Sequence, residues 1–264
     1  MIPFYEHKTL LAHAFCARQM NFPPHFHSCA ELLRLHQGQM LVQIDRDVVE
    51  VKSGQLAVIF PDTIHSYQTL SVPEETQLEL FILGEGTGGE WERALRLSRP
   101  EQPVLQLDSL HPDVTYGLDA LLREEPDWSD EPAARALVQL CWARLLPRMS
   151  LVRREREQTD LPRQLVSYML EHFQEPVSLS SLSRIFGVSV SGLSRVFTNT
   201  LHTGFSEYLN HLRIEQAKKM LLETELSILE VGFACGFQSQ QTFNRVFLDY
   251  CGCTPRSFRQ SRLP

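Results

Sequence analysis

Nowhere does this 264-residue chain run through eighteen consecutive apolar residues, so a membrane-spanning helix is excluded. Its start, Met1-Ile2-Pro3-Phe4-Tyr5-Glu6-His7-Lys8, lacks the basic opening and long apolar core of a secretory signal. Cysteine is sparse. The six residues, Cys16, Cys29, Cys141, Cys235, Cys251 and Cys253, are scattered rather than gathered into a disulfide-stapled framework. Cys251 and Cys253 form a lone Cys-x-Cys with no second pair, which is not the spacing of a structural zinc site. Reduced structural thiols and a cytoplasmic location are therefore expected. Positive charge is also short, with 25 Lys and Arg against 32 Asp and Glu, a net charge of −7. Taken over the whole chain, that balance argues against a polyanionic partner. A phosphate-cradling loop is missing as well. Gly84-Glu85-Gly86-Thr87-Gly88-Gly89-Glu90 lacks a Gly-Lys-Ser/Thr ending, and its glutamates would repel phosphate.

What is present is unevenly distributed. Residues 1–150 hold 12 Lys and Arg against 21 Asp and Glu, a net of −9, whereas residues 151–264 hold 13 against 11, a net of +2. Any nucleic-acid surface must lie in the second half. An apolar share of 43% supplies a core for each of two domains, and the length suits two. The first half reads as short strands, Ala30–His36, Met40–Asp45, Val48–Val51, Leu56–Phe60 and Leu78–Leu83, separated early by turn residues. Such spacing predicts an antiparallel barrel or sandwich. Helical periodicity follows over Trp91–Leu97, Val114–Arg123 and Ala133–Leu146, the last with Leu137, Leu140, Cys141 and Leu145 on one face, for a core or a dimer seam. Leu151–Asp160 is charged, has no apolar face and reads as a solvated linker. From Leu161 onward the chain reads as helical.

That helical part repeats itself. Arg195-Val196-Phe197 recurs as Arg245-Val246-Phe247, each within a helix preceded by a glycine turn and a serine. In the first copy Ser178 can cap a helix bearing Leu179, Leu182, Ile185 and Phe186, Gly187 turns the chain, and Ser189 can cap a second helix. In the second copy Ser227, Gly236 and Ser239 take the same roles. Capped helix, glycine turn, capped helix is the sequence form of a helix-turn-helix, and two copies strengthen the reading. Between them Phe205–Leu222 is an unbroken helical stretch, roughly 27 Å long at 1.5 Å per residue. Such a rod could hold two recognition helices about one DNA turn, near 34 Å, apart.

On the second recognition helix Gln240, Gln241, Asn244 and Arg245 form one exposed stripe, and Phe243 and Phe247 a buried one. Gln can bond adenine N6/N7, and Arg can fork onto guanine O6/N7. The first helix offers Ser191, Gly192, Ser194 and Arg195 against buried Leu193 and Phe197. Arg184, Lys218, Lys219 and Arg256 are candidates for phosphate alone.

About residues 161–262 closely resemble the AraC/XylS family of bacterial transcription regulators. The resemblance is carried by Phe205-Ser206-Glu207-Tyr208-Leu209-Asn210, Leu212-Arg213-Ile214-Glu215-Gln216-Ala217, Val231-Gly232-Phe233-Ala234-Cys235-Gly236-Phe237 and Thr254-Pro255-Arg256-Ser257-Phe258-Arg259. It implies that the second unit's stripe contacts bases. Family members often carry bulkier residues where Ser191 and Gly192 stand, so Arg195 falls mainly to phosphate.

Upstream, His25-Phe26-His27-Ser28-Cys29-Ala30-Glu31 is a His-x-His-x3-Glu element ahead of a strand, and Gly54 leads through another strand to Pro61 and His65. This resembles the cupin barrel, whose first motif supplies two His and a Glu and whose second supplies another His. His25 and His27, two apart, are expected on one side of a strand. Three imidazoles and a carboxylate could bind Zn, Fe, Mn or Ni. In metal cupins these positions ligate the ion and the protein is an enzyme. In the sensory domains of AraC-type regulators the same barrel usually binds a small effector, often a sugar, and such His/Glu elements serve folding or effector contacts. The stronger helix-turn-helix signal favours the second reading, with His25, His27, Glu31 and His65 as effector contacts, no catalytic residue and no cofactor.

The expected architecture is multidomain α+β. Residues 1–150 form a cupin-like antiparallel β-barrel with dimerisation helices, 151–160 a linker, and 161–264 an all-α domain of two helix-turn-helix units joined by a long helix. The expected partners are the major groove of double-stranded DNA, a small-molecule effector and a second copy of the chain. RNA polymerase is the further partner such a regulator would meet.

Overall fold

A computed structural model describes residues 12–123, 131–154 and 161–260. The octapeptide at the start and residues 155–160 of the expected linker lie outside the described residues. The chain divides into two compact units, one within Lys8–Thr159 and one within Asp160–Pro264.

The first unit is built on two antiparallel sheets. One has the order β1 (Ala12–Ala17), β8 (Gln77–Leu83), β3 (Ala30–Gln37), β6 (Gln55–Ile59), β10 (Val104–Gln106). The other has the order β2 (Asn21–His25), β7 (His65–Thr69), β4 (Gln39–Ile44), β5 (Asp47–Lys52). Asp45, at φ 53°, turns β4 into β5, a conformation that Asp tolerates better than most residues. Strand β3 is central and buried on both faces, which is why it reads as an apolar run rather than an alternation. Leu33 and Leu35 join Met40, Val42, Ile59 and Tyr67 in the core between the sheets. Ala30 and Leu32 point the other way, with Phe60 and Phe81, onto α2 (Pro112–Arg123) and α3 (Glu131–Leu145). Trp142 of α3 meets Phe60 edge-on at 6.0 Å. Arg34 shares that outer face. It is buried, pairs with Glu79 at 2.5 Å and Asp119 at 2.5 Å, and lies 5.6 Å from the Phe81 ring centroid.

Several elements differ from expectation. Strands β1, β2 and β7 were not foreseen. β2 contains Pro23 and Pro24, which argue against a central strand but are tolerated at a sheet edge, where β2 lies. β7, His-Ser-Tyr-Gln-Thr, buries only His65 and Tyr67, too little for an apolar signal. The buried stripe of α3 is Ala134, Val138, Cys141, Trp142 and Leu145, so Leu137 and Leu140 stand at its margin. Leu151–Arg153, expected as solvated linker, is instead strand β11 paired with β9 (Ser98–Pro100), which follows α1 (Glu92–Leu97). Backbone pairing there needs no apolar face.

The second unit is helical: α4 (Leu161–His172), α5 (Leu179–Phe186), α6 (Val190–Asn199), α7 (Phe205–Glu223), α8 (Ile228–Ala234), α9 (Gln240–Cys251) and α10 (Pro255–Gln260). Helix α7 serves both repeats. Near its start Phe205 and Tyr208 pack on Phe197 of α6, at 5.4 and 5.8 Å. Towards its end Ile214, Ala217 and Leu221 join Val231, Phe243, Val246 and Phe247. Buried Arg213, between the two, donates to the carbonyls of Phe173 at 2.8 Å and Glu175 at 3.0 Å, tying the α4–α5 connection to α7. No described helix is long and apolar enough to cross a membrane.

Candidate DNA-binding surface and sensor site

Each helix-turn-helix is assembled as its serines and glycine dictate. Ser178 and Ser189 accept from the backbone N–H groups of Ser181 and Gly192, and Gly187 ends α5 at φ 66°. In the second unit Ser227 and Ser239 cap α8 and α9 by accepting from Glu230 and Thr242. Capping satisfies donors that the first helical turn leaves unpaired, and so defines where each recognition helix starts.

On α9 the two faces separate cleanly. Phe243, Val246 and Phe247 are buried, while Gln240, Gln241, Asn244 and Arg245 are exposed. Arg245 Nη1 lies 3.3 Å from Asp249 Oδ2, with the two side chains 68% and 59% exposed. Such an exposed pair contributes at most about 1 kcal/mol, so the guanidinium can be redirected at little cost. On α6 Leu193 and Phe197 are buried, and Ser191, Ser194 and Arg195 are exposed. The Arg195 side chain folds back to the Ser191 carbonyl at 3.4 Å. Of the candidates for phosphate, Arg184 and Arg256 are exposed, whereas Lys218 is largely covered and bonded to Glu215 at 2.6 Å.

In the first unit His25, His27, Glu31 and His65 come together, their ligand-capable atoms all within 4.8 Å of one another. His25 ends β2 opposite His65, the first residue of β7. His27 lies two residues beyond the end of β2, so the shared strand face expected for the two histidines is replaced by a loop that folds back over the site. The rings of His25 and His27 are 5.6 Å apart, and His65 is 4.1 Å from His25 and 5.1 Å from His27. Glu31 enters from β3 on the same face as Leu33 and Leu35.

In all three rings Nδ1 lies at a backbone carbonyl: Pro23 at 3.0 Å for His25, Cys29 at 3.2 Å for His27 and Thr63 at 2.8 Å for His65. A carbonyl can only accept, so each Nδ1 carries a proton and each Nε2 is left to the site. His27 Nε2 donates to Glu31 Oε1 at 2.8 Å, and the Tyr67 hydroxyl donates to Glu31 Oε2. Burial opposes charge on His27, yet its bonds with Cys29 and Glu31 outweigh it and hold its pKa up at about 10. Burial, with the neighbouring histidines, pushes His25 well below its usual value. Burial also works against the Glu31 carboxylate, but His65 and His27 together hold its pKa well below the usual range. Tyr67 was not singled out in the sequence. Its signal was only a tyrosine two residues after His65, hence on the same face of a strand.

Residues 7–164 match the family described as the AraC-like ligand binding domain, and residues 182–261 match a helix-turn-helix domain. This chain belongs to the AraC family of transcription regulators. Its first unit is a ligand-binding domain, and its second is a DNA-binding helix-turn-helix domain. An uncharacterized HTH-type transcriptional regulator of Staphylococcus aureus is 40% identical over 103 residues, 39% of this AraC-type chain and 14% of that protein. GbdR of Pseudomonas aeruginosa, also an HTH-type transcriptional regulator, is 35% identical over 99 residues, 38% of this chain and 27% of that protein. The chain thus spans only a small part of either relative. Among solved structures, ToxT from Vibrio cholerae superposes with a TM-score of 0.55 over 97% of this chain and 100% of its own, at 12% identity, a likeness of fold.

Proposed function

We propose that this AraC-type regulator reads a specific DNA site chiefly through its second helix-turn-helix and adjusts that binding to a small effector held in its β-barrel. Gln240, Gln241, Asn244 and Arg245 face base edges in the major groove. Ser191, Ser194 and Arg195, on a helix thinned by Gly192, mostly hold the backbone. The observation that carries this reading is α9 itself, where a fully polar stripe stands opposite three buried apolar side chains.

Residues 1–150 would be the sensor and dimerisation domain, 151–160 the connection and 161–264 the DNA-binding domain of a cytoplasmic protein with no catalytic step. The effector contacts are His25, His27, Glu31 and His65, and the resemblance makes sugars the class to screen first. The helical stripe over Ala133–Leu146, read as core or a dimer seam, places a second copy against α3, beside a groove lined by Glu90, Trp91, Ala136, Gln139, Leu140 and Ala143. The dimer would occupy two half-sites and present its outer face to RNA polymerase. Equilibrium sedimentation is expected to show a dimer. A monomer both with and without DNA would refute that part of the proposal.

Arg245→Ala is expected to cost about 1–3 kcal/mol on a specific site and to relax preference at one base pair. Fluorescence anisotropy with a selected duplex and with random duplexes checks it. Equal weakening on both would remove base reading from Arg245 and leave it a phosphate contact.

A further inference from the structure

We propose that Val190, the first residue of α6, packs against the 5-methyl group of a thymine in the major groove and gives the first helix-turn-helix a base preference of its own. This rests on the reading of the helical domain as a major-groove binder and goes beyond it, since that reading leaves the first unit mainly to the DNA backbone.

A single exposed valine is ordinary on a protein surface. Val190 is set apart by its place in the repeat. The two units run in step at an offset of fifty residues, so that Ser189 matches Ser239, Leu193 matches Phe243, Arg195 matches Arg245 and Phe197 matches Phe247. In that register Val190 stands where Gln240 stands, directly after the capping serine at the head of its helix. A recognition helix reads base edges with its N-terminal residues. Val190 is 43% exposed at that position, and a β-branched residue brings no advantage in helix propensity. Neither the core nor the helix asks for it.

The rest of the first turn leaves Val190 in front. Ser189 Oγ accepts from the Gly192 N–H at 3.1 Å and lies 3.2 Å from Ser191 Oγ, so both hydroxyls are engaged at the cap. Gly192 has no side chain to reach outward, and a Cβ there would meet Val188 Cγ1 at 2.9 Å. Arg195 folds back on the Ser191 carbonyl. Val190-Ser191-Gly192 is thus a first turn without a long side chain, and its backbone can come close enough to base edges for a methyl contact. In the major groove every base pair shows donors and acceptors, but thymine alone adds a methyl group. A valine cannot bond to those donors and acceptors, so thymine is the base it favours. Its side chain keeps one dominant rotamer in a helix, and little freedom is lost on contact. Leu248 is the contrasting case. It too is exposed, at 47%, but it lies in the third turn of α9, past the N-terminal residues that reach base edges.

The test uses the full chain and a duplex that it selects from a random pool. Each thymine of that duplex is replaced in turn by deoxyuridine, which removes only the 5-methyl group, and binding is followed by fluorescence anisotropy. One replacement, about one helical turn from the base pair whose preference Arg245→Ala relaxes, is expected to weaken the wild-type chain about fourfold, the worth of one buried methyl. Val190→Ala should bind the thymine duplex about fourfold less tightly and be indifferent to that replacement, so the two losses do not add. Its urea midpoint should stay at the wild-type value, because the side chain is exposed. Leu248→Ala should keep the full response to the replacement. A wild-type chain that responds to no thymine methyl, or an equal response in wild type and Val190→Ala, overturns the proposal. If Arg245→Ala still relaxes preference at one base pair in that case, base reading by the second unit stands and only the Val190 contact falls. If the chain prefers no duplex over random ones, both fall.

Discussion

Replacing Arg34 by alanine is expected to destabilise the sensor unit by about 3–5 kcal/mol, because it strands a carboxylate rather than merely deleting a bond. Arg34 and Glu79 have side chains only 3% and 8% exposed and lie 2.5 Å apart on the face of the sheet that the helices cover. Taking either charge out of water is costly, and their mutual attraction offsets it only while both are present. His36 Nε2, 3.1 Å from Glu79 Oε1, remains beside that carboxylate in the variant. Asp119 is different. Its side chain is 44% exposed, so water screens it, and Asp119→Asn should cost no more than about 1 kcal/mol. The double variant Arg34→Met, Glu79→Leu removes both buried charges and should recover much of the loss. Urea unfolding followed by circular dichroism reads all three as shifts in midpoint at constant slope. A double variant as unstable as the sum of its singles would show that the pair matters by packing, through the Arg34 stem against Phe81, and not by charge.

Gly236→Ala is expected to destabilise the DNA-binding unit by about 2–4 kcal/mol, from backbone strain and steric overlap acting together. Gly236 sits at φ +89°, and a Cβ there would lie 2.5 Å from the carbonyl oxygen of Gln174. That oxygen belongs to backbone in the connection that Arg213 clamps at Phe173 and Glu175, so it has little room to move. Gly252 is the control. Its φ is +67°, but a methyl added there would meet nothing within 4 Å, so Gly252→Ala should cost only the strain, roughly 1–2 kcal/mol. Gly236→Ala should also weaken specific and random DNA alike, because it disturbs how the whole recognition helix is held. That pattern separates it from Arg245→Ala. Equal losses for the two glycine variants would mean that the Gln174 carbonyl yields and the clash is harmless.

The two halves of the molecule were unequally legible. In the DNA-binding half, helix caps, glycine turns and the alternation of Phe243, Val246 and Phe247 with the polar stripe are interactions between residues within one or two turns of each other. Local spacing therefore records them. In the sensor half the four cluster residues could be picked out, since His25, His27 and Glu31 are close in sequence and His65 follows the strand that Gly54 leads into. Strands β2 and β7 could not, because prolines and polar residues there answer to a sheet edge and a buried polar site.

By itself, the sequence determined the two-part organisation, the repeated helix-turn-helix, the identity of the exposed polar stripe on α9 and the membership of the histidine–glutamate cluster. Only the tertiary structure decided how that cluster is wired. Tyr67 reaches Glu31 across 36 residues, and Arg154 reaches Thr63 across 91. The structure also made a paired strand of residues read as solvated linker, and set the Gln174 carbonyl against the Gly236 turn. These are contacts between segments far apart in the chain, two of them between side chains and two at backbone groups. Every residue carries those groups, so no pattern of side chains announces where they will pair.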